Sequence, residues 1–127
     1  MKLVQTVDGR GMGMSDLKRF DAPHVNQITT FQTDELTARC PFDFGGPDHY
    51  DLTIRYEAGK YCVESKSLKV WLESYRDTEI TAEELADEIH ATVADTIKPQ
   101  RLYVRLEQAR RGGIEETVEV GEYDLRE

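Results

Sequence analysis

Apolar residues change their spacing twice along this chain, and that change limits what it can fold into. Leu52, Ile54 and Tyr56 share one face while Thr53 and Arg55 take the other, which is the period of a strand. Glu57-Ala58-Gly59-Lys60 supplies a turn, and Tyr61, Val63 and Ser65 continue as a second strand, so a hairpin is expected. The spacing then becomes helical. Leu68, Trp71, Leu72 and Tyr75 fall on one stripe of a short helix. Thr81 opens a second helix, Glu84 completes a capping box, and Leu85, Ile89, Val93 and Ile97 form its buried stripe. Lys98-Pro99 ends that helix. Leu102, Val104 and Leu106 alternate again, Arg110-Arg111-Gly112-Gly113 makes a turn, and Ile114, Val118 and Val120 form a last strand with imperfect alternation. The order predicts an α+β fold: an antiparallel four-stranded sheet, with two helices between the strand pairs in sequence and packed on one face. So small a sheet has edges to cover, and self-association into a closed barrel would cover them. A homo-oligomer is therefore expected.

The remaining segments carry weaker patterns. Residues 1–30 read as an irregular arm, punctuated by Gly9, Gly11, Gly13, Pro23 and Asn26. Residues 31–127 then form a single domain, as a chain of 127 residues allows. Ile28 to Thr33 is β-prone and can add a strand. Cys40 to Asp48 contains two prolines and two glycines and reads as a loop.

Composition excludes several functions. Acidic residues number 25 against 16 basic, a net charge of −9, which repels polyanions at long range. A local basic cluster, or a salt-rich cytoplasm that screens the repulsion, would relax that limit. No run of about eighteen apolar residues offers a membrane span. The opening Met1-Lys2-Leu3-Val4-Gln5 turns polar at once, unlike a secretory signal, so a cytoplasmic protein with reduced thiols is expected. Cys40 and Cys62 make no disulfide framework, and with His24, His49 and His90 scattered, no zinc-ligand spacing is present. No Gly-x-Gly-x-x-Gly follows a strand, so no Rossmann unit is expected.

Val63-Glu64-Ser65-Lys66-Ser67-Leu68-Lys69-Val70-Trp71 resembles the signature of the queuosine-pathway nitrile reductases, the QueF family, whose pattern is Glu-Ser/Leu-Lys-Ser-x-Lys followed by an aromatic residue. Cys40-Pro41 upstream, Asp48 after it and Arg111-Gly112-Gly113 near the C-terminus fit in the same order, so the resemblance spans roughly residues 38–120. It implies the tunnelling fold, often assembled as a decamer of two pentameric rings. It also implies reduction of 7-cyano-7-deazaguanine to 7-aminomethyl-7-deazaguanine with two NADPH. Carried over position by position, it makes Cys40 the nucleophile that forms a covalent thioimide and Asp48 the proton donor and acceptor at the nitrile nitrogen. Val63, Glu64 and Ser65 would line the base pocket and Glu83 would anchor the guanine-like edge. Lys66, Lys69 and Arg111 would hold the dinucleotide phosphates.

These residue types suit that chemistry. A thiolate is the best side-chain nucleophile near neutral pH for a modest electrophile such as a nitrile carbon. Charge then builds on nitrogen, so an acid must stand within hydrogen-bond reach. One carboxylate accepts from both N–H donors of a guanine-like edge, and phosphates favour Lys and Arg. Each residue also has a plainer reading: Cys40 as a loop thiol, Asp48 as a turn residue, Glu83 as a helix-dipole partner, and Lys66 with Lys69 as a solvated face. Cys62 and Trp71 are best read as packing residues.

The chain departs from the family at the second helix, where Thr81-Ala82-Glu83 replaces the usual Phe-His-Glu. The run from Ser74 to Ala86 is more similar to the archaeal QueF-like branch, which converts the same nitrile in tRNA to the amidine of archaeosine with ammonia and no NADPH. The intact Lys-rich signature favours the reductase. The smaller residues open one side of the pocket, as a base carried in DNA or tRNA would need. The expectation is thus a nitrile reductase acting on the free base or on the base within a polynucleotide. Amidine formation and ligand binding without turnover are the alternatives.

Overall fold

The structure is a computed structural model and describes residues 4–7, 14–42 and 47–126. The strands are β1 (Val4–Val7), β2 (Met14–Asp21), β3 (Ile28–Arg39), β4 (Pro47–Glu57), β5 (Tyr61–Val63), β6 (Arg101–Arg111) and β7 (Ile114–Gly121). The helices are α1 (Ser65–Glu73) and α2 (Ala82–Ile97), and a 3-10 turn spans Tyr123–Leu125. The fold is α+β, with an antiparallel four-stranded sheet in the order β3-β4-β6-β7 and a three-stranded sheet in the order β1-β2-β5.

The core follows from alternation on one side and helical period on the other. Leu52, Ile54 and Tyr56 of β4 lie opposite Leu106, Val104 and Leu102 of β6, so all six project from one face of the larger sheet. Leu85, Ile89, Val93 and Ile97 of α2 are fully buried against this layer. The Thr81 capping box with Glu84 starts α2, and Lys98, in the left-handed conformation, ends it. Gly112 and Gly113, both at positive φ, form the tight turn between β6 and β7 that twisted hairpins favour. Trp71 and Cys62 are buried, and Trp71 meets Tyr75 edge-on at 6.0 Å.

Four local expectations are corrected. Within residues 1–30, the described stretch Met14–Asp21 is not irregular: it forms β2, which pairs with β5, Leu17 is fully buried, and the Arg19 guanidinium stacks 3.8 Å from the Tyr61 ring centre. The boundary at residue 30 also falls inside β3. The second strand does not form a hairpin with β4. Ala58 exchanges backbone hydrogen bonds with Asn26 and Gln27, and the chain then leaves the larger sheet to pair with β2. The four strands of the larger sheet accordingly include β3 in place of β5. Ser65 begins α1 rather than ending a strand, because the Glu64 carboxylate caps the helix by accepting from Lys66 N at 2.9 Å and Ser67 N at 2.7 Å. Pro47 and Asp48 belong to β4, not to a loop: Pro47 lies at a sheet end opposite Arg39, and Asp48 lies opposite Ala38.

Gly121 closes β7 at a φ of 102°, and a Cβ there would stand 2.2 Å from the Leu102 carbonyl oxygen and 2.8 Å from the His90 Nε2. Gly121→Ala is expected to destabilise the protein by about 2–4 kcal/mol, since backbone strain adds to a clash with main chain. Thermal unfolding checks this, and an unchanged midpoint would contradict the geometry.

Candidate active site

The apolar face of the larger sheet turns polar at one end. On β4 the series Tyr56, Ile54, Leu52, Tyr50 finishes in Asp48; on β6 the series Leu102, Val104, Leu106 finishes in Gln108; on β7 the series Val120, Val118 finishes in Glu116. Register aligns these ends, with Tyr50 opposite Gln108 and Gln108 opposite Glu116. The link between the helices lies over the same end. Arg39 N donates to Thr78 O at 2.8 Å and Ile80 N donates to Arg39 O at 3.0 Å, which holds the start of α2 beside the residue after β3, Cys40.

The result is a cleft of about 530 Å³ lined by Cys40, Asp48, Thr81, Glu83, Arg111 and Glu116, among others. Cys40 is a free, half-buried thiol, reachable from the cleft. Asp48 is buried at 4% exposure, and Arg111 Nη1 donates to its Oδ1. This ion pair holds the Arg111 guanidinium firmly charged. Glu83 is exposed in the first turn of α2, and the capping role falls to Glu84. Glu83 and Glu116 meet carboxyl to carboxyl, which requires a proton between them. The hydrogen bond it donates to Glu83, then burial, then the charges of Glu83 and Asp48 push Glu116 up to about 7. The hydrogen bond from Glu116 lowers Glu83.

Cys40, Asp48, Glu83 and Arg111 therefore share one cleft. The other expected site residues do not join them within the chain. Val63 is buried, Glu64 caps α1, and neither lines the cleft. Ser65 and Lys69 border a second groove of about 880 Å³ between α1 and the β3–β4 edge, together with Arg39, His49 and Arg76. Lys66 is exposed on α1. Arg111 is paired with Asp48 rather than grouped with Lys66 and Lys69.

Glu116 and Tyr50 were not anticipated. The signal for Glu116 lay in the imperfect alternation of the last strand, where a carboxylate occupies the parity of Ile114, Val118 and Val120. Tyr50 continues the parity of Leu52 and Ile54, which suggests packing only. Its hydroxyl is buried with no hydrogen-bond partner among the described residues. Among the described residues no helix is long and apolar enough to cross a membrane.

A small α+β domain with a thiol, a carboxylate–guanidinium pair and a helix-borne glutamate in one cleft has the groups that addition to an electrophilic carbon needs. A model of the family described as QueF-like protein matches residues 47–126, and the chain belongs to this family. The NADPH-dependent 7-cyano-7-deazaguanine reductase of Caldanaerobacter subterraneus subsp. tengcongensis is 38% identical over 95 residues, covering 75% of this chain and 70% of that protein. The protein of the same name from Chlorobaculum tepidum is 37% identical over 111 residues, covering 86% of this chain and 94% of its own length. A crystal structure of the archaeosine synthase QueF-Like in the apo form superposes with a TM-score of 0.68 at 22% identity, over 74% of this chain and 91% of that one, and shows the shared fold.

Proposed function

We propose that this protein is an NADPH-dependent nitrile oxidoreductase that reduces 7-cyano-7-deazaguanine to its aminomethyl form through a thioimide on Cys40. The single observation that carries this reading is the convergence of Cys40, Asp48 and Glu83 on one cleft, in a chain similar over most of its length to reductases of that name. The Cys40 sulfur adds to the nitrile carbon as its proton passes to the Asp48 carboxylate and from there to the nitrile nitrogen. Arg111 fixes the carboxylate for that transfer. NADPH supplies the two hydrides, one per molecule, that with two protons take the carbon from nitrile to amine. Between them the carbon–sulfur bond breaks and Cys40 is returned. Glu83 accepts from the N–H groups of the base.

The second groove is where Lys69 would meet the cofactor's phosphates: Lys69, Arg39 and Arg76 border it, beside Glu35, Glu73 and Asp77, the last of which holds Arg39 at 3.6 Å. Lys66→Ala with Lys69→Ala is expected to raise the apparent KM for NADPH by roughly tenfold or more through lost phosphate contacts. An unchanged KM would remove the lysines from the cofactor site.

Val63, Glu64 and Ser65 would meet the substrate only if a second copy presents them, and β3 and β7 leave the larger sheet with two edges for such a contact. A closed homo-oligomer, with the decamer as the expected form, supplies that arrangement. The small Thr81 and Ala82 at the cleft leave room for a base carried in DNA or tRNA, against which the net charge of −9 works. The deciding experiment supplies the nitrile as free base and within an oligonucleotide, each with NADPH or with ammonia, and follows NADPH absorbance and product mass. NADPH oxidation with aminomethyl product is expected. Amidine formation without NADPH use would replace the reading with the archaeosine-forming reaction.

A further inference from the structure

The carboxyl pair in the cleft has a consequence for which bases fit. Glu83 comes from the start of α2 and Glu116 from β7, and both line the cleft that contains Cys40 and Asp48. Two carboxylates in contact repel, so the arrangement persists with one proton between them. A pair in that state offers both an acceptor and a donor at one place. Beneath it lies a second, independent feature. Tyr50 is 1% exposed, its hydroxyl has no hydrogen-bond partner among the described residues, and the groups whose charge it feels are Asp48, Glu116, Cys40 and Glu83. A buried phenol without a partner is costly, and the charges around it are those of groups that line the cleft, although Tyr50 itself is not part of the lining.

We propose that Glu116 is a specificity-determining residue that, by holding the proton it shares with Glu83, donates to the ring carbonyl of a guanine-type base while Glu83 accepts from the adjacent N–H groups. This rests on the substrate class given above. An ionised Glu116 repels that carbonyl, so the base binds best below the pH at which Glu116 ionises, about 7, and weakens above it. The other titratable or charged groups facing the pair are Cys40 after β3, Asp48 and Tyr50 on β4, and Arg111 on β6. A base carrying an amino group in place of the carbonyl meets the wrong donor and is rejected.

Calorimetric titration of 7-cyano-7-deazaguanine into the Cys40→Ala protein measures this without covalent capture. Affinity is expected to fall about tenfold between about pH 6 and about pH 8 as the donor is lost. Adding Glu116→Gln, whose amide donates at either pH, should keep the low-pH affinity to within about threefold at both. Adding Glu116→Leu should cost about tenfold at the lower pH and remove the pH dependence. Equal affinity of the parent protein at both pH values, or a Glu116→Gln variant with the parent's pH profile, overturns the proposal. Turnover of the nitrile by wild-type enzyme with either of those results sinks this inference alone. The expected binding pattern without NADPH-dependent turnover sinks the reductase reading and leaves the role of Glu116 standing.

Discussion

Cys40→Ala is expected to lower nitrile turnover by on the order of a thousandfold or more while leaving the unfolding midpoint near that of the wild type. The two halves of that expectation have separate causes. The thiol is half-buried at the end of β3 and lines the cleft without belonging to the packed core, so removing it leaves the core contacts intact. Chemically it has no substitute in the cleft. Cys62, the other thiol, is buried in β5 and does not line the cleft. Cys40→Ser tests the same point more finely, because a hydroxyl of similar size keeps the shape but is a far weaker nucleophile near neutral pH. Steady-state kinetics with NADPH as the optical probe measures both variants. A Cys40→Ala enzyme within tenfold of wild type would assign the chemistry to another group.

Asp48→Asn is expected to reduce kcat by about a hundredfold to ten-thousandfold, the range over which a positioned acid–base group contributes. KM for the base should move much less, since Glu83 and Glu116 are the groups assigned to its edge. Asparagine keeps the shape and an acceptor for Arg111 but cannot carry a proton from sulfur to nitrogen. It also leaves the half-buried guanidinium facing a neutral side chain, so some loss of stability accompanies the kinetic effect. A thermal melt separates that loss from catalysis. If kcat stays within threefold of wild type, Asp48 serves only to hold Arg111.

How much of this was legible in the sequence depended on whether the deciding contacts were local. The α2 stripe from Leu85 to Ile97, its Thr81–Glu84 cap and the β6–β7 turn rest on residues a few positions apart, and each stands where the spacing put it. β2 was hidden because Leu17 is the main apolar sign of it and because, beside nearby β1, it pairs with β5, some forty residues away. Ser65 fitted the parity of Tyr61 and Val63, but the Glu64 cap decided for helix. Pro47 suggested a loop because a proline interrupts a strand in general; at a strand end the missing N–H costs little.

The site was legible unevenly for the same reason. Cys40, Asp48, Glu83 and Arg111 came from motif order, and the fold brings them together from the residue after β3 and from β4, α2 and β6. Motif order could not show that Arg111 is held by Asp48, because those residues are sixty-three apart in sequence. Nor could it show Glu116 facing Glu83, which needs the register of β7 against β6 and the position of α2 above them. Val63, Glu64 and Ser65 sit in the family signature yet lie away from the cleft within one chain.

Intact-protein mass spectrometry of the wild type mixed with 7-cyano-7-deazaguanine and no NADPH tests the central claim most directly. Addition of a thiol to a nitrile loses no atom, so the protein should gain the full mass of the base, on the peptide containing Cys40, and should lose it when NADPH is added. An unmodified protein that nonetheless turns over the nitrile, or an adduct of equal yield in Cys40→Ala, would contradict the account.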